Sequence, residues 1–221
     1  MSAQATLVTA QHFAYLAART RQEDAFLGDL KRAAAAAGIP AIWICPEQAS
    51  CMQILLQLCA ARHVVEVGTL AGYSAIAMAR ALPADGKLVT IELAAAHAEF
   101  AKQWVGRSDV AGRVEVRQGD AKRVLPTLPS NWADAAFLDA DKTGYPAYLR
   151  ECLRIVRRGG LIMVDNAFAF GELFAPAPQD RETPAVRAFN DLIARTKELQ
   201  CVIVPLGDGM WVGVKLADPV P

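Results

Sequence analysis

Three charged side chains stand within four residues in the stretch FLDADKTGY at 137–145: Asp139, Asp141 and Lys142. A second polar pair, Asp165 and Asn166, ends the apolar run GGLIMVDN. Two carboxylates and an amide oxygen form a hard, all-oxygen donor set suited to magnesium, with manganese or calcium as alternatives. Unpaired carboxylates that close repel each other, and a bound cation relieves the repulsion. A lysine beside such an ion in a desolvated pocket gives up its proton more readily and can serve as a general base. The ion would hold two vicinal oxygens of an acceptor and acidify the one to be deprotonated. Either segment alone reads as an ordinary strand end with solvated charges. Both together, at consecutive strand ends, read as a site with Asp139 and Lys142 as its catalytic pair.

The elements around these residues must bring 139 beside 165. Short β-branched runs alternate with helical patterns: HVVEVG then YSAIAMARAL, KLVTIE then AAAHAEFAKQWVGRS, RVEVRQGD, ADAAFLDA then YPAYLRECLRIV, and GGLIMVDN. That alternation predicts an α/β fold with a Rossmann-like, doubly wound, mainly parallel seven-stranded sheet. TPAVRAFNDLIARTKEL reads as a further helix, and CVIVPLGDGMWVGVKL as two strands turning at Gly207-Asp208-Gly209, a C-terminal antiparallel hairpin. Extra helices precede the sheet over 10–37, stopped by Gly38 and Pro40, and PEQASCMQILLQLCAA opens with Pro46 in a first-turn position. No linker, repeat or low-complexity tract divides the chain, so we expect one domain over 1–221, with N-terminal helices in 1–45 and a ligand-binding core in 46–221. FAPAPQDRETP at 174–184 reads as a surface loop near the active edge.

In an open parallel sheet, ligands sit outside the carboxyl ends of the strands. The first such end is EVGTLAGYS, where Glu66 stands at the position a dinucleotide fingerprint gives to glycine. Gly68 and Gly72 still permit a tight turn and close backbone approach. An acidic residue there suits a cationic group better than a pyrophosphate. Glu92 closes KLVTIE at the distance where such folds place a carboxylate on ribose hydroxyls. Asp120, in the turn GDA, is placed to meet an adenine amino group. The combination describes an adenosine without phosphates and with a positive charge elsewhere, which fits S-adenosylmethionine.

Composition excludes other classes. Over 221 residues, 53% hydrophobic content supports a sizeable core. Lys plus Arg and Asp plus Glu balance at 23 each, so no global field draws in DNA or an anionic membrane. The five cysteines (45, 51, 59, 152 and 201) lack zinc spacing and read as buried free thiols of a reducing cytoplasm. No signal peptide and no apolar run of about 18 residues is visible, so a cytoplasmic location is expected. His12, His63 and His97 have no clustered partners and read as bland. Trp43 and Trp211 read as core or interface residues, and Arg187 and Asn190 as a solvated helix face.

With these residues in place, the chain resembles the cation-dependent, S-adenosylmethionine-using O-methyltransferases, the family of catechol and caffeoyl-CoA O-methyltransferases and their small bacterial relatives. EVGTLAGYSA, TIE, GDA, FLDADK, GGLIMVDN and PLGDG occur in family order over roughly 40–216. The resemblance implies that Glu66, Gly68, Thr69, Leu70 and Ser74 line the methionine end of the cofactor. It gives Glu92 the ribose, Asp120 and Ala121 the adenine side, Asp141 a further cofactor contact, and Ile44 a covering role. It assigns Asp139, Asp165 and Asn166 to the cation, Lys142 to the proton, and a homodimer to the assembly. The chain departs from the family pattern at Ala49, where a glycine is usual, and at Ala169, in the place of a tryptophan, with Phe168 and Phe170 as substitutes. A coenzyme A ester is not favoured, because its tyrosine and arginine partners lack counterparts in FAPAPQDRETPAVRAFN. The expected acceptor is a small aromatic vicinal diol, without DNA or membrane as partner. Methylation of a hydroxylated tRNA base is the alternative; a nicotinamide oxidoreductase or a non-catalytic adenosine-binding module fits less well.

Overall fold

The computed structural model describes residues 7–219; residues 1–6 and 220–221 of the expected domain lie outside the described residues. Its elements are α1 (Ala10–Ala17), α2 (Ala25–Ala36), α3 (Pro46–Leu58), β1 (His63–Val67), α4 (Tyr73–Ala79), β2 (Lys87–Glu92), α5 (Ala95–Arg107) and β3 (Val114–Gln118). There follow α6 (Ala121–Val124), β4 (Ala133–Leu138), α7 (Tyr145–Ile155), β5 (Val156–Val164), α8 (Thr183–Arg195), β6 (Leu199–Val204) and β7 (Met210–Lys215). The strands form one sheet in the order β3-β2-β1-β4-β5-β7-β6. All neighbours from β3 through β5 pair in parallel, and β7 pairs antiparallel to both β5 and β6. This is the expected doubly wound sheet with its C-terminal hairpin.

Alternation within each strand sends side chains to two cores. On one face, Val64, Phe137 and Met163 pack with Leu30 of α2, Met52 of α3, and Ile76 and Met78 of α4. On the other, Val65, Leu138 and Val164 pack with Leu149 and Ile155 of α7 and Phe189 of α8. Helix α7 shows why: Tyr145, Tyr148, Leu149, Cys152 and Leu153 recur at helical spacing and are all buried, and Pro146 occupies its first turn. Each aliphatic side chain of that stripe contributes about 1.5–3 kcal/mol by leaving water. Leu149→Ala would therefore cost roughly 2–5 kcal/mol.

Strand β5 begins three residues earlier than its glycine pair suggests. Gly159 has φ +76°, and the pairing with β4 shifts register between Ala133 and Ala135, so the chain bulges and still continues as one strand. The sheet's lower rim is stitched by Asp134, which accepts from the backbone N–H of Arg62 at 2.8 Å and His63 at 2.9 Å and from Arg157 Nε at 2.6 Å. Those bonds hold its carboxyl below the usual range against the opposing effect of burial. The upper rim, where the carboxyl ends of the strands open, carries the residues singled out above. No described helix is long and apolar enough to cross a membrane.

Candidate active site

The strand order reverses between β1 and β4, and the carboxyl ends around that point open onto a cleft of about 290 Å³. One wall is the turn after β1. Gly68 and Gly72 adopt φ +96° and +90°, and Leu70 between them φ +49°. A Cβ at Gly68 would collide with the Asp139 carbonyl, so glycine is what lets β1 and β4 end this close together. Glu92 ties the turn down: its Oε2 accepts from the backbone N–H of Thr69 at 3.1 Å and of Leu70 at 2.9 Å, and its Oε1 from that of Ala94 at 2.9 Å. A carboxylate offers about four acceptor sites, so capacity is left for a ligand hydroxyl. Asp120 accepts from Lys122 N–H at 2.9 Å as the cap of α6 and faces the same cleft.

Beneath this turn Glu66 is fully buried. Its Oε1 accepts from Ser74 Oγ at 2.5 Å, while Oε2 has no hydrogen-bond partner among the described residues. Burial pushes its carboxyl up to about 8, against the lowering effect of bonds from Ser74 and Thr90. It is a carboxylate held short of its charge, with Ser74 between it and the cleft.

The second half of the site lies at the ends of β4 and β5. Leu138 and Val164 are register partners, and Asp165 N–H donates to Leu138 O at 3.0 Å, so Asp139 and Asp165 leave their strands side by side. Burial, and after it the negative charge of Asp139, push the Asp165 carboxyl up to about 7. Gln48 of α3, itself buried, donates Nε2 to Asp165 Oδ1 at 2.7 Å. Lys142 is 4% exposed and places Nζ 3.3 Å from Asp139 Oδ1 and 2.7 Å from the Tyr145 hydroxyl. Its backbone N–H donates to Glu182 Oε1 at 2.9 Å, which docks the 174–184 loop beside the site. The donor set fits a hard divalent cation, because like-charge loading on a buried carboxylate is what such an ion would relieve. Asp139, Asp165 and the Asn166 amide oxygen would hold it. Among the described residues no three His, Cys, Asp or Glu side chains gather for a metal, so solvent or acceptor oxygens would complete the shell.

Ten of the residues read from the sequence line the cleft: Ile44, Gly68, Thr69, Leu70, Ser74, Glu92, Asp120, Ala121, Asp139 and Asp141. Glu66 does not reach its surface, and Lys142, Asp165 and Asn166 form the cluster next to it, joined to the cleft through Asp139. Sequence reasoning missed several participants. Tyr148, three residues after Tyr145 on α7, donates to Asp141 Oδ1 at 2.6 Å and holds it at the cleft. His97 lines the cleft 3.9 Å from Glu92 Oε1, and Trp43, packed against the core on one side, lines the cleft beside Ile44 on the other. Beside Tyr145, whose ring centre is 4.8 Å from Lys142 Nζ, the second aromatic at the base is Phe170 at 5.9 Å and not Phe168, which packs against Gly209. Ala169 is buried, and Ala49 faces α4 and the loop before α2 rather than the cleft.

Two readings are corrected. Arg187 and Asn190 are not a solvated face: Arg187 donates to the carbonyls of Glu172, Leu173 and Ala175, and Asn190 to Ala167 O at 2.8 Å, pinning the loops above the site. The five thiols are free, but only Cys152 is fully buried.

The sequence model of the O-methyltransferase family matches residues 17–216. A catechol O-methyltransferase of Niastella koreensis is 37% identical over 200 residues, covering 89% of this chain and 88% of that one. A catechol O-methyltransferase of Mycobacterium tuberculosis is 35% identical over 196 residues, covering 88% and 89%. The solved structure of an O-methyltransferase from Bacillus cereus in complex with SAH aligns with a TM-score of 0.82 at 32% identity, covering 92% of this chain and 96% of that one.

Proposed function

The chain belongs to the O-methyltransferase family, and from that premise we propose that it transfers the methyl group of S-adenosylmethionine to one hydroxyl of a small aromatic vicinal diol. The observation that carries this reading is the double membership of Asp139. It lines the cleft, and it also stands 3.3 Å from Lys142 Nζ at the edge of the carboxylate cluster. A methyl donor in the cleft and a proton acceptor at the cluster therefore meet at one side chain. The relatives named catechol O-methyltransferase and the SAH-bound neighbour support the substrate class and the donor.

In this reading Glu92 takes the ribose hydroxyls with its spare acceptor capacity, and Asp120 and Ala121 flank the adenine. Gly68, Thr69, Leu70 and Ser74 border the methionine end, Ile44 and Trp43 cover it, and Tyr148 steadies Asp141. A divalent cation at Asp139, Asp165 and Asn166, magnesium in the simplest case, would supply Lewis acidity to the two acceptor oxygens. Lys142 Nζ takes the proton of the attacking hydroxyl, and Phe170 walls the acceptor ring. The oxygen forms its bond to the methyl carbon while the carbon–sulfur bond breaks and its electron pair returns to sulfur. That displacement is helped mainly by holding oxygen, carbon and sulfur in line.

The test is transfer of labelled methyl to 3,4-dihydroxybenzoate and to its 4-hydroxy counterpart. The diol should be methylated and the monohydroxy compound should not; equal rates on both, or full activity in Asp139→Ala, would overturn the reading. A homodimer belongs to the same proposal. Helix α1 buries none of its residues and exposes Phe13, Tyr15 and Leu16. A monomer in sedimentation at micromolar concentration would contradict it.

A further inference from the structure

The cation site proposed above needs Asn166 to present oxygen, yet a side-chain amide can turn either end toward an ion and only its oxygen is a ligand. A residue on another element decides the matter. Asn166 Nδ2 donates to Asp208 Oδ2 at 3.2 Å, across from the tip of the β6–β7 hairpin. A carboxylate only accepts, so this bond sets the NH₂ end against Asp208 and leaves Oδ1 on the opposite side. The reversed amide would press two acceptor oxygens together.

The same Oδ2 accepts from the backbone N–H of Phe170 at 2.8 Å. Two main-chain bonds follow from the same tip, Ala167 N–H to Gly209 O at 2.8 Å and Phe168 N–H to Asp208 O at 2.9 Å. All four land on a segment where Asn166, Ala169 and Phe170 have φ of +65°, +53° and +57°. Residues with a Cβ hold that conformation only where their surroundings impose it. The hairpin supplies the imposition, and its glycines permit the approach. A Cβ at Gly207 would lie 2.5 Å from Gln48 Oε1, and one at Gly209 would lie 2.9 Å from the Phe168 ring.

We infer that Asp208 is a positioning residue with two tasks: through the Asn166 side chain it aims an amide oxygen at the cation site, and through the Phe170 backbone it sets the aromatic wall beside Lys142. The inference rests on the cation reading of Asp139, Asp165 and Asn166. It couples the place where the acceptor's oxygens would bind to the surface against which its ring would lie, from a turn that holds Asn166 and Phe170 and itself supplies neither ligand nor ring.

The experiment is titration of Mn²⁺ into the metal-free full chain, with free Mn²⁺ followed by electron paramagnetic resonance. Wild type, Asp208→Ala, Asp208→Ser, Asp208→Asn, Asn166→Ala and the double variant Asn166→Ala/Asp208→Ala are compared. Asp208→Ala should weaken binding by about ten- to a hundredfold. Asp208→Asn, whose amide oxygen can still accept both bonds, should stay within about threefold of wild type. In the Asn166→Ala background, adding Asp208→Ala should cost less than about threefold, because the residue through which Asp208 acts is gone. Asp208→Ser, too short to hold both donors, should weaken binding as well, and serves if the alanine variant does not fold. Wild-type affinity in Asp208→Ala and Asp208→Ser, or an equal loss with and without Asn166, overturns the inference; the second is what a merely structural role would give. A wild type that takes up no Mn²⁺ overturns the cation reading itself, and is thereby distinct from the failure of Asp208 alone.

Discussion

At the glycine turn, one carboxylate, Glu92, collects three backbone N–H groups from two stretches of chain. Across Asp139, at the end of β5, Asp165 is held by the side chain of Gln48, from 117 residues away in sequence, and faces another acid. The glycine turn, on the proposed cofactor side, is thus tied down through main-chain groups. The proposed acceptor side is built from side chains lent by distant segments: Gln48 from α3, Glu182 from the loop before α8, and Asp208 from the hairpin. The first half is set by folding itself and suits a constant ligand. The second is loaded with like charge and unusual backbone, and suits a ligand that brings charge and oxygens with it.

The difference can be broken from either side. Lys142→Met should lower kcat by about 10²–10⁴-fold while cofactor affinity changes little, since Lys142 stands outside the cleft; isothermal titration with S-adenosylhomocysteine beside single-turnover kinetics checks this. A parallel loss of cofactor binding would erase the boundary between the halves. Gly68→Ala should do the converse and act first on the fold, costing about 3 kcal/mol or more, because it joins a positive φ to a clash with the Asp139 carbonyl. Chemical denaturation reads that loss, and a variant of unchanged stability would contradict the account of the turn.

A third effect depends on pH. Below its unfolded value of 4.5 the Glu66 carboxyl is protonated in both states and costs nothing. Between 4.5 and about 8 the native protein keeps a proton that the unfolded chain releases, so this group makes stability fall as pH rises through that window, and the loss levels off above it. The total is on the order of a few kcal/mol. Glu66→Gln should remove it, so that urea midpoints of variant and wild type diverge in the variant's favour from pH 5 to pH 8; parallel curves would show that Glu66 is ionised in the native state. Smallest of all, Phe170→Ala should raise KM for the acceptor about three- to tenfold, through loss of one partly exposed ring contact, with kcat nearly kept. A fall in kcat instead would place Phe170 nearer the chemistry than a wall.

The sequence carried the two halves unequally. HVVEVG, KLVTIE and ADAAFLDA announce buried parallel strands by composition, so the fold was legible from local pattern, and with it the strand-end residues Gly68, Glu92, Asp120 and Asp139; Ile44, Thr69, Leu70, Ser74 and Ala121 came only through the family resemblance. Glu66 was legible as an acid at the right place but not as a buried one, because depth depends on Ser74 and Thr90 packing over it. The acceptor side was legible only at Asp139, Lys142, Asp165 and Asn166. Gln48 sits in the first turn of α3 and Asp208 in the hairpin turn, positions whose local pattern says nothing of their partners Asp165 and Asn166. Arg187 looked solvated because its partners are backbone carbonyls, which leave no trace in side-chain chemistry, and Asn190 because its partners, Ala167 O and Trp211 Nε1, lie 23 and 21 residues away. Tyr148 did leave a signal, a second tyrosine three residues beyond Tyr145 on the same helix face.

The contrast between a self-sufficient cofactor side and a charge-loaded acceptor side is tested most directly by methyl transfer to 3,4-dihydroxybenzoate in protein stripped of divalent ions by chelation and dialysis. The account predicts that the stripped protein binds S-adenosylhomocysteine as before, transfers no methyl group, and recovers its full rate on addition of magnesium. An undiminished rate in the stripped protein would contradict it.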